Sequence, residues 1–195
     1  MIALIDYDAG NLKSVANALD DFKTEYIITN KSEEINSADK IIFPGVGEAA
    51  SAMSKLKEKN IVDVIKSTQK PLLGICLGMQ LLATFSEERN TKCLDIIKTV
   101  VKQFDSSQVK VPHMGWNKVI YKSVNKLFTN VESGGYFYFA NSYYVPITEC
   151  TIASTEYNIV FSSAINKNNF YGVQFHPEKS GKAGLQILKN FIELC

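Results

Sequence analysis

The sequence is poor in the residues that most often make up a reactive site. It has two histidines, His113 and His176, and four cysteines, Cys76, Cys93, Cys150 and Cys195. No two cysteines form a CxxC pair and none has a second histidine nearby, so neither a zinc site nor a disulfide framework is expected, and no cofactor or metal. Cysteines left free suit a reducing compartment, which points to a cytoplasmic location. An excess of one charge is also lacking: 21 Lys+Arg stand against 20 Asp+Glu, which favours neither nucleic acid nor membrane as a partner. No apolar run approaches the roughly 18 residues of a membrane span. The opening run 1–5 meets Asp6, so no signal peptide is expected. Linkers, repeats and low-complexity stretches are missing too, which leaves one domain over 1–195, long enough to bury a substantial core.

What is there is ordinary for a soluble globular chain, 46% hydrophobic and 21% charged residues. The first half alternates short apolar strands, expected over 2–5, 25–29, 39–43 and 72–75, with helical spacing over 11–22, 49–59, 61–67 and 79–85. Such alternation predicts an α/β fold, a mainly parallel, doubly wound sheet with helices on both faces. The second half changes to turn-separated strands, expected over 99–104, 118–121, 136–140, 151–154, 159–165 and 170–175, which read as antiparallel additions to the same sheet. Leu185, Leu188, Phe191 and Ile192 make the apolar face of a closing helix.

The segment on which the rest turns is Gly74-Ile75-Cys76-Leu77-Gly78-Met79-Gln80. It follows an apolar strand and opens a helix, with a glycine two residues to either side of the cysteine. That pattern lets the chain turn sharply and present Cys76 at the tip, as in a nucleophile elbow with Cys in place of Ser. Unpaired N–H groups at the helix start favour a thiolate and can receive an oxyanion. Taken alone, the segment equally describes a buried small cysteine at a tight turn.

A thiolate needs an imidazole to move the proton and a carboxylate to orient it. His176 ends an apolar strand in Tyr171-Gly172-Val173-Gln174-Phe175-His176-Pro177-Glu178, and in an extended segment Glu178 points to the same side as His176. Sites in open α/β sheets lie beyond the carboxyl ends of the strands. Pro44-Gly45-Val46-Gly47, Cys76 and His176 each follow such a strand, and the glycines flanking Val46 permit a backbone amide to turn toward the site. An ordinary turn at 44–47 is the alternative.

Taken together, these segments resemble the class I, triad-type glutamine amidotransferases. The resemblance runs nearly end to end: Ile5-Asp6-Tyr7 with Gly10-Asn11-Leu12, Phe43-Pro44-Gly45-Val46-Gly47, the Cys76 segment, Pro112-His113-Met114-Gly115-Trp116-Asn117, Ser142-Tyr143-Tyr144, and Gly172-Val173-Gln174-Phe175-His176-Pro177-Glu178-Lys179-Ser180. The elbow and the His-Pro-Glu segment are common to the class. His-Met-Gly-Trp-Asn and His-Pro-Glu-Lys-Ser are narrower, and are similar to glutaminase subunits of imidazole glycerol phosphate synthases.

The resemblance implies a Cys76–His176–Glu178 triad, an oxyanion hole from the Val46 and Leu77 amides, and L-glutamine bound by Gly47, Gln80, Ser142 and Tyr143. It also implies a heterodimer with a cyclase or synthase subunit that takes up the ammonia, with Trp116 and Lys179 at the junction. His113, Met114 and the aromatics of 136–138 are further candidates for that face, Phe137 and Phe139 reading rather as core. Two positions depart from the expected pattern, Asn141 where a histidine and Asp8 where a glycine is expected; both are candidates for the partner face. They leave open a related glutaminase serving a nucleotide-sugar or surface-sugar amidotransferase, and a catalytically silent subunit remains a third reading.

Overall fold

A computed structural model describes residues 1–8, 12–121, 123 and 125–195. Gly10 and Asn11, which carry part of the amino-terminal motif and the expected start of the first helix, lie outside the described residues. The first half runs β1 (Ile2–Ile5), α1 (Leu12–Asp21), β2 (Tyr26–Thr29), α2 (Ser32–Ser37), β3 (Lys40–Gly45), α3 (Ala49–Glu58), α4 (Val62–Ser67) and β4 (Leu72–Cys76). After the short helix α5 (Leu77–Leu81) come β5 (Ala83–Ser86), β6 (Thr91–Lys92), β7 (Ile97–Gln103), β8 (His113–Lys118), β9 (Tyr136–Asn141), β10 (Tyr143–Pro146), β11 (Thr151–Tyr157), β12 (Ile159–Lys167), β13 (Phe170–Val173) and the closing helix α6 (Gly181–Leu194).

Among the described residues the main sheet has the order β2-β1-β3-β4-β13-β12-β10-β7-β5-β6, with β11 beside β12. From β2 through β13 all pairings are parallel, and β12 and β10 continue the sheet antiparallel. The parallel strands read as unbroken apolar runs because both faces are covered. In β1, Ala3 and Ile5 join one core cluster while Ile2 and Leu4 join the other. Residues Ile41 and Phe43 of β3 face the first side, with Leu56 and Ile65 from α3 and α4; Ile42 faces the second, with Leu19 from α1 and Leu188 and Phe191 from α6. Period-two alternation thus sends successive side chains of one strand into two separate helix layers.

Several expected elements differ. The apolar stretch 79–85 is not one helix: α5 stops at Leu81 and Ala83–Ser86 forms β5, paired parallel to β7 and antiparallel to β6. A short apolar run suits a buried helix or a buried strand equally, and here the neighbouring strands decide. The strand expected over 118–121 begins earlier, as β8, and Ile120 keeps only an isolated bridge to Ser154. With β9 it makes a separate two-stranded antiparallel ribbon rather than an addition to the large sheet. Three elements, α2, β6 and β10, are not expected from the sequence. Helix α2 buries only Ile35, too little apolar periodicity to stand out.

Candidate active site

Three adjacent strands, β3, β4 and β13, end at one edge of the sheet, and the chain beyond each enters the same cavity of about 260 Å³. Cys76 is the last residue of β4, with φ 53° and ψ −109°, a backbone conformation that an L residue adopts only at a cost of order 1–3 kcal/mol. Close packing makes the turn possible: a Cβ on Gly78 would lie 1.9 Å from the Phe43 carbonyl oxygen. The elbow therefore needs glycine after the cysteine because β3 passes directly against it. Tyr7, buried just past β1, donates its hydroxyl to the Pro44 carbonyl at 3.0 Å and so pins the start of the 44–47 loop. In that loop Val46 is exposed and Gly47 takes φ 97°, and both line the cavity.

His176 is buried, and its ring borders the same cavity as Cys76. Its backbone N–H donates to the Tyr138 carbonyl at 2.9 Å, which ties the turn after β13 to the ribbon. Pro177–Lys179 is a 3₁₀ turn rather than the expected extended segment. The turn folds Glu178 back so that Oε1 lies 2.9 Å from His176 Nδ1, with the Glu178 side chain 1% exposed. That contact assigns the proton to Nδ1 and leaves Nε2 for the cysteine. Burial disfavours a charged imidazole. The hydrogen bonds and charges of Cys76 and Glu178 outweigh that penalty and raise the His176 pKa to about 10. The imidazole therefore holds its proton at neutral pH.

The opposite wall comes from Ala140, Asn141, Ser142 and Tyr143, where β9 passes into β10, together with Gln80 of α5. Gln80 Nε2 donates to the Tyr143 carbonyl at 2.9 Å and to Gln174 Oε1 at 2.9 Å, and Gln174 Nε2 lies 3.6 Å from Cys76 Sγ. Pro112, Glu88 and Lys179 complete the lining. Among the described residues no group of three or more His, Cys, Asp or Glu side chains is placed to hold a metal ion.

Every residue expected at the triad, the oxyanion hole and the glutamine site borders this one cavity or, as Glu178 does, touches a residue that borders it. Trp116 is 56% exposed on the ribbon, packed edge-on against Tyr138 at 6.1 Å between ring centroids. Met114 and Tyr136 share the exposed face, since β8 and β9 alternate inward and outward. Two expectations fail. His113 does not belong to that face: it is buried, stacked on Tyr157 at 4.0 Å and Phe139 at 5.0 Å, and burial lowers its pKa to about 4. Asn141 does not lie on a partner face either, being 5% exposed in the cavity wall, where Nδ2 donates to the Tyr143 carbonyl at 2.8 Å. Asp8 is exposed and ion-paired with Lys59 at 2.9 Å. Glu88 and Gln174 do not stand out in the sequence. A polar residue inside the apolar run Tyr171–Phe175 is the available sign for Gln174; Glu88 offers none.

Residues 3–194 match the family model for glutamine amidotransferase class-I. The chain is a class I glutamine amidotransferase. Among curated amidotransferase relatives, the imidazole glycerol phosphate synthase subunit HisH of Bacteroides fragilis is 50% identical over 99% of both chains. The protein of the same name from Salmonella typhimurium is 44% identical, again over 99% of both. The fold also matches a solved structure of a glutamine amidotransferase from Thermotoga maritima, with TM-score 0.66, 17% identity and coverage of 98% of this chain and 80% of that one. At that identity the likeness concerns the amidotransferase fold alone.

Proposed function

We propose that this chain is the glutaminase subunit of an imidazole glycerol phosphate synthase, a part of histidine biosynthesis, and that it hydrolyses L-glutamine and passes the ammonia to a cyclase subunit in a heterodimer. The observation that carries the chemistry is the buried Cys76–His176–Glu178 constellation at the floor of the cavity. The relatives at 44% and 50% identity support the choice of partner.

Cys76 thiolate attacks the side-chain amide carbon of glutamine, and the amides of Val46 and Leu77 receive the oxyanion. His176, already protonated, gives its proton to the departing nitrogen, so that ammonia leaves and a glutamyl thioester remains. The now neutral imidazole takes a proton from water, hydroxide adds to the thioester carbon, and glutamate leaves as the thiolate is restored. Glu178 holds the imidazole and balances its charge through both halves. Gly47, Gln80, Ser142 and Tyr143 hold the amino-acid end of the substrate. Trp116 and Lys179 meet the cyclase, and a free thiol nucleophile suits a cytoplasmic compartment.

Asn141 and Asp8 are the reasons to consider a sugar amidotransferase as acceptor. Asn141 is buried in the cavity wall, which speaks for a role at the glutamine site, while Asp8 is exposed and ion-paired with Lys59. The test is glutamate release by the chain alone, with the cyclase subunit of Bacteroides fragilis and its ligand, and with a sugar amidotransferase. Stimulation by the cyclase is expected, weakened in Trp116→Ala and Lys179→Ala while Cys76 stays reactive to a small electrophile. Full activity of the isolated chain, or stimulation by the sugar enzyme only, overturns the assignment of partner.

A further inference from the structure

We propose that Gln174 is a second hydrogen-bond donor to the Cys76 sulfur, locked in that role by Gln80. The inference rests on Cys76 being the nucleophile of the proposed glutaminase.

Three contacts determine which end of each amide faces where. The Tyr143 carbonyl oxygen can only accept, so the Gln80 atom 2.9 Å from it is the amide nitrogen. That same nitrogen lies 2.9 Å from a Gln174 side-chain atom, and two donors do not face each other, so the Gln174 atom is Oε1. The Gln174 nitrogen is left 3.6 Å from Cys76 Sγ. Reversing the Gln174 amide would set nitrogen against nitrogen at Gln80 and oxygen against a sulfur anion. Gln174 is 0% exposed, so water cannot make good either mismatch.

A neutral donor does something here that His176 cannot do. The imidazolium gives up its proton when ammonia leaves and regains one only when water attacks, so in between its charge does not support the sulfur. Gln174 has no proton to give and keeps its N–H directed at the sulfur throughout, including the moment when thiolate is expelled from the thioester. The lock also runs back to the substrate wall, because the Tyr143 carbonyl that orients Gln80 receives Asn141 Nδ2 as well, at 2.8 Å.

The experiment measures alkylation of Cys76 by iodoacetamide across pH, on the whole chain, with the labelled residue identified by mass spectrometry. The other groups bearing on the sulfur are His176, with Glu178 behind it, and the Tyr7 hydroxyl; Glu88 and Lys179 stand farther out on the wall. Gln174→Glu keeps the shape and replaces the donor with an acceptor, and Gln174→Met keeps the volume with neither. Both are expected to slow alkylation at neutral pH by about tenfold and to move its pH midpoint upward by about one unit, Glu more than Met. Folded variants whose midpoints coincide with the parent overturn the proposal, even if turnover falls, since a purely structural role would cost turnover without moving the midpoint. Labelling at another cysteine in the parent would instead overturn the glutaminase reading. Should neither variant fold, nuclear magnetic resonance of the parent decides: a glutamine side-chain amide must shift with the alkylation midpoint, and its absence overturns the proposal.

Discussion

Gly45 stands directly across from Cys76 in the parallel register of β3 and β4. A Cβ on Gly45 would meet the Tyr7 hydroxyl at 2.5 Å, and the Gly78 nitrogen and Leu77 Cβ at 2.9 Å. The partner strand therefore helps to set the shape of the elbow, and the loop carrying Val46 leaves from the same point.

Gly45→Ala is accordingly expected to destabilise the chain by about 1–3 kcal/mol, the usual cost of forcing an extra carbon into a packed interior. Urea unfolding measures the loss. Alkylation of Cys76 should slow with it, because the elbow must shift to admit the methyl group. Unchanged stability together with unchanged reactivity would mean that β3 does not shape the elbow.

The four thiols should separate cleanly in reactivity. Burial pushes the Cys93 thiol up to about 12, with the Glu88 charge adding to it, and burial also raises Cys150 and Cys195. A glutamine-like chloroketone is therefore expected to label Cys76 first and to abolish glutamate release in step. Labelling of one of the other three with parallel loss of activity would transfer the nucleophile's role elsewhere.

His176→Ala removes the proton carrier and should lower glutamate release by roughly 10⁴-fold, whereas Glu178→Gln keeps the imidazole and should cost less, about 100-fold. The buried, low-pKa His113 is held among aromatic rings and cannot serve as a substitute base. Equal activity in the two variants would contradict the division of roles, as seen in steady-state rates at saturating glutamine.

Stability should fall on the alkaline side for a reason specific to this site. An unfolded imidazole holds its proton only below a pH of about 6.5. In the folded chain His176 keeps its proton to about pH 10. Between those values His176 holds a proton in the folded chain that it lacks in the unfolded one, so this group's stabilisation is complete below the lower value and is lost as pH rises through the upper. Thermal unfolding from pH 6 to 10 should show a steeper decline for the parent than for His176→Gln. Parallel curves would exclude the site as the source.

By itself the sequence determined the strand-helix alternation of the first half, the cysteine elbow, and the Val46 and His176 segments beyond the strand ends. These features are legible because they are local: helical spacing, uninterrupted apolar strands, and glycines where the backbone passes too close for a side chain. Tertiary structure decided the rest. Ala83–Ser86 becomes a strand because β7 and β6 stand ready to pair with it. β8 and β9 leave the main sheet to form a ribbon whose inner residues, Phe137 and Phe139, fill the α1–α6 side of the core and whose outer ones, Trp116 and Tyr136, stay exposed. His113 and Asn141, polar in any reading of the sequence, are buried because the ribbon register sets them opposite each other on its inner side. The direction of the Gln174 amide depends on a carbonyl 31 residues earlier in the chain, at Tyr143, acting through Gln80. A hydrogen-bond chain of that kind exists only once strands distant in sequence have been brought side by side.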